Sequence, residues 1–182
     1  MNNLITHTEF SELKSISKRY DDDKVNKSIT QAMTDLREVL GASFYFDVIS
    51  NIETAEYTTL LDGGEFSVEG LTYVHDGLKS LVADYAYARY LYEVNTNLTS
   101  FGMVGKNNQD STPVDRNMIR DLVGQTNKDA GRKWELIRDY LEANIELFPV
   151  WAKSKRTVDN NPASFNTGRF TFMSTGKNLD EF

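Results

Sequence analysis

The residues able to do chemistry in this chain are few and scattered. His7 and His75 are its two histidines, and it has no cysteine. Neither histidine has a second ligand type at metal spacing, and residues this dispersed do not compose a Ser–His–Asp arrangement. Both are read as surface or loop histidines. Asp21-Asp22-Asp23 could hold a cation, but the free N–H groups at the start of a helix explain three carboxylates there with no extra assumption, and that reading is preferred. Asp62-Gly63-Gly64-Glu65 has the glycines of a phosphate loop without its Lys and Ser/Thr, so it reads as a turn. Gly105-Lys106 and Gly176-Lys177 fail the same pattern. Glu53, Glu56 and Glu65 could be imagined as paired acids, yet nothing fixes their separation, on which glycosidase chemistry depends. Arg89 lies at the edge of an apolar helical stripe. It is read either as a snorkelling side chain or as half of an ion pair, within the subunit or across an interface. The expectation is a protein that is not an enzyme, with no catalytic, cofactor or metal site.

Composition agrees. Twenty basic and 27 acidic residues leave a net charge of −7. That balance is poorly suited to gripping nucleic acid, which needs clustered Lys and Arg. Without cysteine, disulfides, thiol catalysis and Cys-ligated zinc are excluded. The start, MNNLITHTEF, lacks a basic region followed by a continuous apolar stretch, and no apolar run approaches the ~20 residues of a membrane span. The chain is read as made and used in cytosol.

The elements that would position these residues are mainly helical. Residues 1–20 form a mixed entry segment, with Ile5, Phe10, Leu13 and Ile16 along a short helix edge. A first firm helix spans 22–40, its stripe formed by Val25, Ile29, Ala32, Met33, Leu36, Val39 and Leu40, with Gly41 as its stop. A short helix over 43–52 is dense in Phe44, Tyr45, Phe46, Val48 and Ile49 and belongs in the core. Residues 54–77 hint at a small hairpin or extended loop. The helix over 77–95 is apolar on two sides: Leu78, Leu81, Val82, Tyr85 and Tyr92 on one, Tyr87, Leu91 and Val94 on the other. The second side could be covered by another subunit. Residues 96–111 make a long loop with an apolar centre at Phe101, Met103 and Val104. A long last helix follows, capped by Ser111 or Thr112, reaching toward Leu147 and stopped by Pro149, with Gly124 and Gly131 as points where it could bend. The fold class expected is a mainly α, small helical bundle, with a body over 1–149 and an extended docking tail over 150–182. Tail aromatics Trp151, Phe165, Phe170, Phe172 and Phe182 are expected to bind a partner, Phe170 and Phe172 on one strand-like face.

The order of these features resembles a known family. LITHTEF, then a helix ending in LREVLGASFY, then YTTLLDGGEF, HDGLKSLVADYAYARYL and the loop TSFGMVGKNNQDSTP together resemble the small head–tail connector, or neck adaptor, proteins of tailed phages. They look most like the type found in crAss-like and other Bacteroidetes phages. The resemblance covers about residues 4–147; the tail matches no motif of it. It implies a structural virion subunit made in the host bacterial cytoplasm. Such subunits form rings, commonly of twelve copies, below the portal protein, and offer a platform to the next neck or tail protein. DNA passes through without sequence-specific binding. On this reading Tyr87, Leu91, Val94, Phe101, Met103, Val104, Trp151, Phe165, Phe170 and Phe172 are interface residues. The competing expectations are another assembly protein, such as a stopper or tail-completion factor, and a small helical enzyme or regulatory binding protein.

Overall fold

The computed structural model of the chain describes residues 3–14, 16, 22–99, 102–105 and 115–153, with backbone alone at 95–99 and 102–105. The described residues form six helices and two antiparallel hairpins, so the chain is mainly α as its periodicity implies. Helix α1 (His7–Leu13) opens with a reciprocal cap: Thr6 Oγ1 accepts the Glu9 N–H at 3.2 Å and Glu9 Oε2 accepts the Thr6 N–H at 2.8 Å. Its Phe10 is fully buried and meets the edge of Tyr90 at 6.2 Å, while Leu13, expected on the same edge, is exposed.

Helix α2 (Asp22–Leu40) has Asp22 and Asp23 in its first turn and buries Val25, Ile29, Ala32, Met33, Leu36 and Leu40. Gly41 follows at φ 76°, in the left-handed half of backbone space that suits glycine. Helix α3 (Ala42–Ser50) sends Phe44, Tyr45 and Val48 into the core and leaves Phe46 exposed, so the dense apolar run is not buried all round. Helix α4 (Ala55–Asp62) buries Tyr57, Leu60 and Leu61. Strands β1 (Gly64–Val68) and β2 (Leu71–His75) realise the hairpin expected near residues 54–77.

Helix α5 (Gly77–Asn95) is the centre of the bundle, packed between α2 and α6 (Arg116–Ala143). This corrects one expectation. The second apolar face of α5 is covered by the chain's own α6: Leu91 and Ala88 pack against Val123, with Ile119 and Tyr87 beside them. The run expected as a long loop contains a short hairpin, β3 (Thr96–Thr99) paired with β4 (Gly102–Gly105).

The last helix is also shorter than its apolar spacing suggests. Its N-cap is Asp115, whose carboxylate accepts the Asn117 N–H at 3.2 Å; Ser111, Thr112 and Pro113 lie outside the described residues. It runs unbroken through Gly124 and Gly131 for about 42 Å at 1.5 Å per residue. It ends at Ala143, where the Asn144 N–H reaches Tyr140 O at 3.1 Å. Pro149 is not its stop. A turn over 144–147 intervenes, and Pro149 stands first in a new helical turn over 149–153, the position where a missing N–H costs nothing. Phe148 and Trp151 enter the core from this turn, so the packed body extends past residue 149.

Candidate functional site

The candidate site grows from the β1–β2 hairpin. Its base is fixed by two glycines that no other residue could replace without a clash. Gly63 has φ 96°, and a Cβ there would lie 2.6 Å from His75 O. Gly77 has φ 77°, and a Cβ there would lie 2.4 Å from the Gly63 nitrogen and from Leu61 O. The chain therefore enters and leaves the hairpin through one close backbone crossing. At the far end Glu69 (φ 52°) and Gly70 (φ 81°) both take positive φ, the turn that matches the twist of a two-residue hairpin.

Register divides the hairpin into two faces. Gly64, Phe66 and Val68 pair with His75, Tyr73 and Leu71 on one; Glu65 and Ser67 pair with Val74 and Thr72 on the other. Near the base the first face is anchored. Phe66 meets Tyr140 of α6 edge-on at 5.7 Å, and His75 stacks on Tyr140 at 4.4 Å and 29°. Toward the tip the same face runs out of core. Leu71 is 61% exposed and Val74, on the outer face, 58%, with Val68 and Tyr73 also exposed. Two strands whose outer edges pair with no other strand among the described residues, and which carry exposed apolar side chains, form a surface of the kind that marks a contact site.

His75 is not the surface histidine expected from the sequence. It is 1% exposed, and neither ring nitrogen has a hydrogen-bond partner among the described residues. Burial lowers its pKa below the usual histidine range, opposed by the charge of Asp76. The folded state thus resists a proton that the unfolded chain accepts from about pH 6.5 downward. Stability is unaffected above that pH and falls as pH drops toward the folded pKa, by up to about 1.4 kcal/mol per pH unit. Urea unfolding at pH 7.5 and 5.5 checks this. We expect His75→Phe to lose less stability than wild type between these pH values; equal losses would mean that His75 does not titrate with unfolding.

A second cluster ties three helices together. Asp84 of α5, 2% exposed, pairs with Lys14 just after α1 and with Lys133 of α6, whose Nζ lies 2.7 Å from Asp84 Oδ2. That contact has ion-pair distance without hydrogen-bond alignment. Lys133 also donates to Ser80 Oγ at 2.7 Å and lies 3.7 Å from Asp76. Tyr85, next along α5, has its pKa pushed up to about 12 by burial and by the charges of Asp35 and Asp84. Arg89 resolves to an ion pair within the subunit, a two-pronged contact with Asp35 at 2.8 and 2.6 Å. Among the described residues no three His, Cys, Asp or Glu side chains are grouped to hold a metal. The chemistry visible in these clusters is cohesion between helices.

At the other end of α5, Tyr92 with Arg116, Asn117 and Arg120 lines an open cleft of about 350 Å³. Arg116 forms no ion pair among the described residues, and Arg120 has only Asp121 at 3.9 Å. Met118 and Leu122, also exposed, project from the opposite side of α6, two residues being about 200° of turn.

The expected interface residues separate into three groups. Tyr87, Leu91 and Val94 are packed inside this chain: Tyr87 half-buried with Lys14 Nζ 5.7 Å above its ring, Leu91 against Val123, Val94 half-buried on the main core. Trp151 is likewise internal, 8% exposed, with Phe44 at 5.4 Å and Trp134 at 6.1 Å, and so is not available for docking. Met103 and Val104 fall on β4, and Phe101, Phe165, Phe170, Phe172 and Phe182 lie outside the described residues. Sequence reasoning missed Leu71, Val74 and the Arg116–Arg120 pair. The alternation through VEGLTYVH and the i, i+4 spacing of the arginines were the available signals.

Fold and surface together define a small helical bundle that displays a rigid-based hairpin. The chain belongs to a family of unknown function, DUF6712, whose match covers residues 36–161, from the last turn of α2 past the turn that carries Trp151. No curated protein and no solved structure matches it.

Proposed function

We propose that this protein is a structural subunit of the head–tail connector of a tailed phage. In this reading copies of it, commonly twelve, form a ring below the portal protein in the neck of the virion. The ring lengthens the DNA channel and receives the next neck or tail protein. The role is mechanical and needs no catalysis or cofactor. The observation that carries the reading is the β1–β2 hairpin: apolar at its tip, free at both edges among the described residues, and locked at its base by Gly63, Gly77 and the Tyr140 stack. A rigid projecting element of this kind suits joining one subunit to another. The sequence resemblance supplies the context, and the net charge of −7 suits a conduit to which DNA should not adhere.

Electron microscopy of the purified chain mixed with the phage's portal protein tests the proposal. We expect a ring of copies seated on the portal. A chain that neither binds the portal nor enters assembled particles would overturn it.

A further inference from the structure

The hairpin and the arginine cleft lie at opposite ends of one helix pair. Helices α5 and α6 run antiparallel, since Lys133 meets Asp84 whereas Val123 meets the later Ala88 and Leu91. The hairpin leads directly into Gly77 and rests on Tyr140, while the cleft is built from Tyr92 and the first turn and a half of α6. From Gly77 to Tyr92 the helix rises about 22 Å.

The two ends are complementary. The hairpin displays Leu71 at its tip beside Glu69 of the turn and, on the outer face nearer the base, Val74 opposite Glu65. Neither glutamate forms an ion pair among the described residues. Among the described residues the cleft is lined by Tyr92, Asn117 and two arginines, Arg116 and Arg120. Of the acidic groups at that end, Asp22 and Asp23 lie in the first turn of α2, the Asp115 carboxylate caps α6, Asp121 lies 3.9 Å from Arg120, and Glu93 pairs with Lys27 at 2.6 Å. Among the described residues, the charged side chains lining the cleft are both cationic. The exposed charged side chains of the hairpin strands and turn are acidic, and those of the described residues lining the cleft are basic.

We infer that the hairpin tip of one copy docks in the Tyr92–Arg116–Arg120 cleft of a second copy, head to tail. The occupant is another copy of this chain because each surface has the charge and hydropathy the other needs, and both are on the same molecule. A patch that meets a different patch makes a heterologous contact, which closes into a ring when the rotation allows. The inference rests on the reading of the chain as a self-assembling subunit and names the surfaces that would join.

The test is a charge exchange on the full chain. One variant carries Glu65→Arg with Glu69→Arg, a second carries Arg116→Glu with Arg120→Glu, and association is read by sedimentation at low and high salt. All four side chains are exposed, so circular dichroism should show both variants folded. Wild type should associate with rising concentration, and each variant alone should associate at least about tenfold more weakly at low salt. Mixing the two variants should restore association, since the reversed hairpin then meets the reversed cleft and the two native surfaces meet each other. Leu71→Ser with Val74→Thr should weaken association without the salt dependence. Association that all variants leave unchanged would overturn this contact while leaving the ring reading to the portal experiment. A chain monomeric at every concentration would also overturn it. Loss in the hairpin variant alone, with the cleft variant unaffected, would show instead a two-fold hairpin-to-hairpin contact.

Discussion

Replacing Trp151 by alanine will lower the unfolding free energy by about 3–5 kcal/mol, the usual cost of truncating a large buried aromatic. Trp151 lies only two residues past the expected end of the folded body, yet it is 8% exposed and fills a site between Phe44 and Trp134. Phe44 in turn meets Phe148 at 6.1 Å, and Phe148 meets Tyr57 at 5.4 Å and Tyr140 at 6.0 Å. One aromatic chain therefore links the turn over 149–153 to α3, α4 and α6. A cut after Pro149 removes Trp151 and should destabilise the bundle by a similar amount. Urea unfolding followed by circular dichroism measures both, avoiding the fluorescence of the residue being removed. A loss below about 1 kcal/mol in Trp151→Ala would mean that the turn is only an attached flap, since a well-packed buried aromatic costs several times more.

The same segment shows where the sequence was legible and where it was not. Helices α2 and α5 have the boundaries their punctuation implies, because Asp22 and Asp23 favour a helix start and Gly41 and Gly77 take positive φ at the junctions. Such signals are local, set by backbone sterics and capping within a few residues. The end of α6 was misjudged because Leu141 and Phe148 keep a spacing of two helical turns. Phe148 in fact reaches the core from a turn and a new helical segment, while Ile145 and Leu147 are exposed. Periodicity reports that a residue is apolar at the right interval, not which backbone carries it inward. For α5 the pattern found two apolar faces correctly but could not say what covers them, and α6 does so from within the chain. His75 read as a loop residue because its burial depends on Tyr140, a residue from a distant helix. Of the surfaces proposed here to join copies, the hairpin was foreshadowed and the cleft was not, since Tyr92 and Arg116 come together only when α5 and α6 pack.

That distinction bears on assembly. Had the second face of α5 been open, the subunit would have been incomplete without a neighbour. Instead α5 is covered by α2 on one side and α6 on the other, and the apolar groups still exposed among the described residues lie chiefly at the hairpin, on the outer side of α6 and in the turn after it. A bundle closed in this way is expected to fold as a monomer and to associate afterwards through elements that project from it.

Asp84 makes the sharper demand on the bundle. No local pattern singles it out: it sits between Ala83 and Tyr85 in the run SLVADYAYARY, and its partners Lys14 and Lys133 are far away in sequence. It is nevertheless the buried anion on which two cations converge, one arriving from α1 and one from α6. Removing it leaves two ammonium groups facing a cavity and each other. Breaking a buried pair by deleting one partner costs about 3–5 kcal/mol, but both lysines are about a fifth exposed and can turn toward water, so we expect about 2–3 kcal/mol for Asp84→Ala. The loss should be largest around α1, which has few other anchors: Phe10 against Tyr90, and Glu9 with Lys79 at 3.4 Å. Hydrogen exchange should therefore show the amides of α1 losing protection in Asp84→Ala before those of α2 or α5. Adding Lys14→Met and Lys133→Met to Asp84→Leu replaces the whole buried charge cluster with apolar side chains of similar size, and should recover most of the stability. If the triple variant is as unstable as Asp84→Ala, shape at this site matters more than charge. If Asp84→Ala loses less than about 1 kcal/mol, the lysines are better treated as an exposed ion pair of the usual small value.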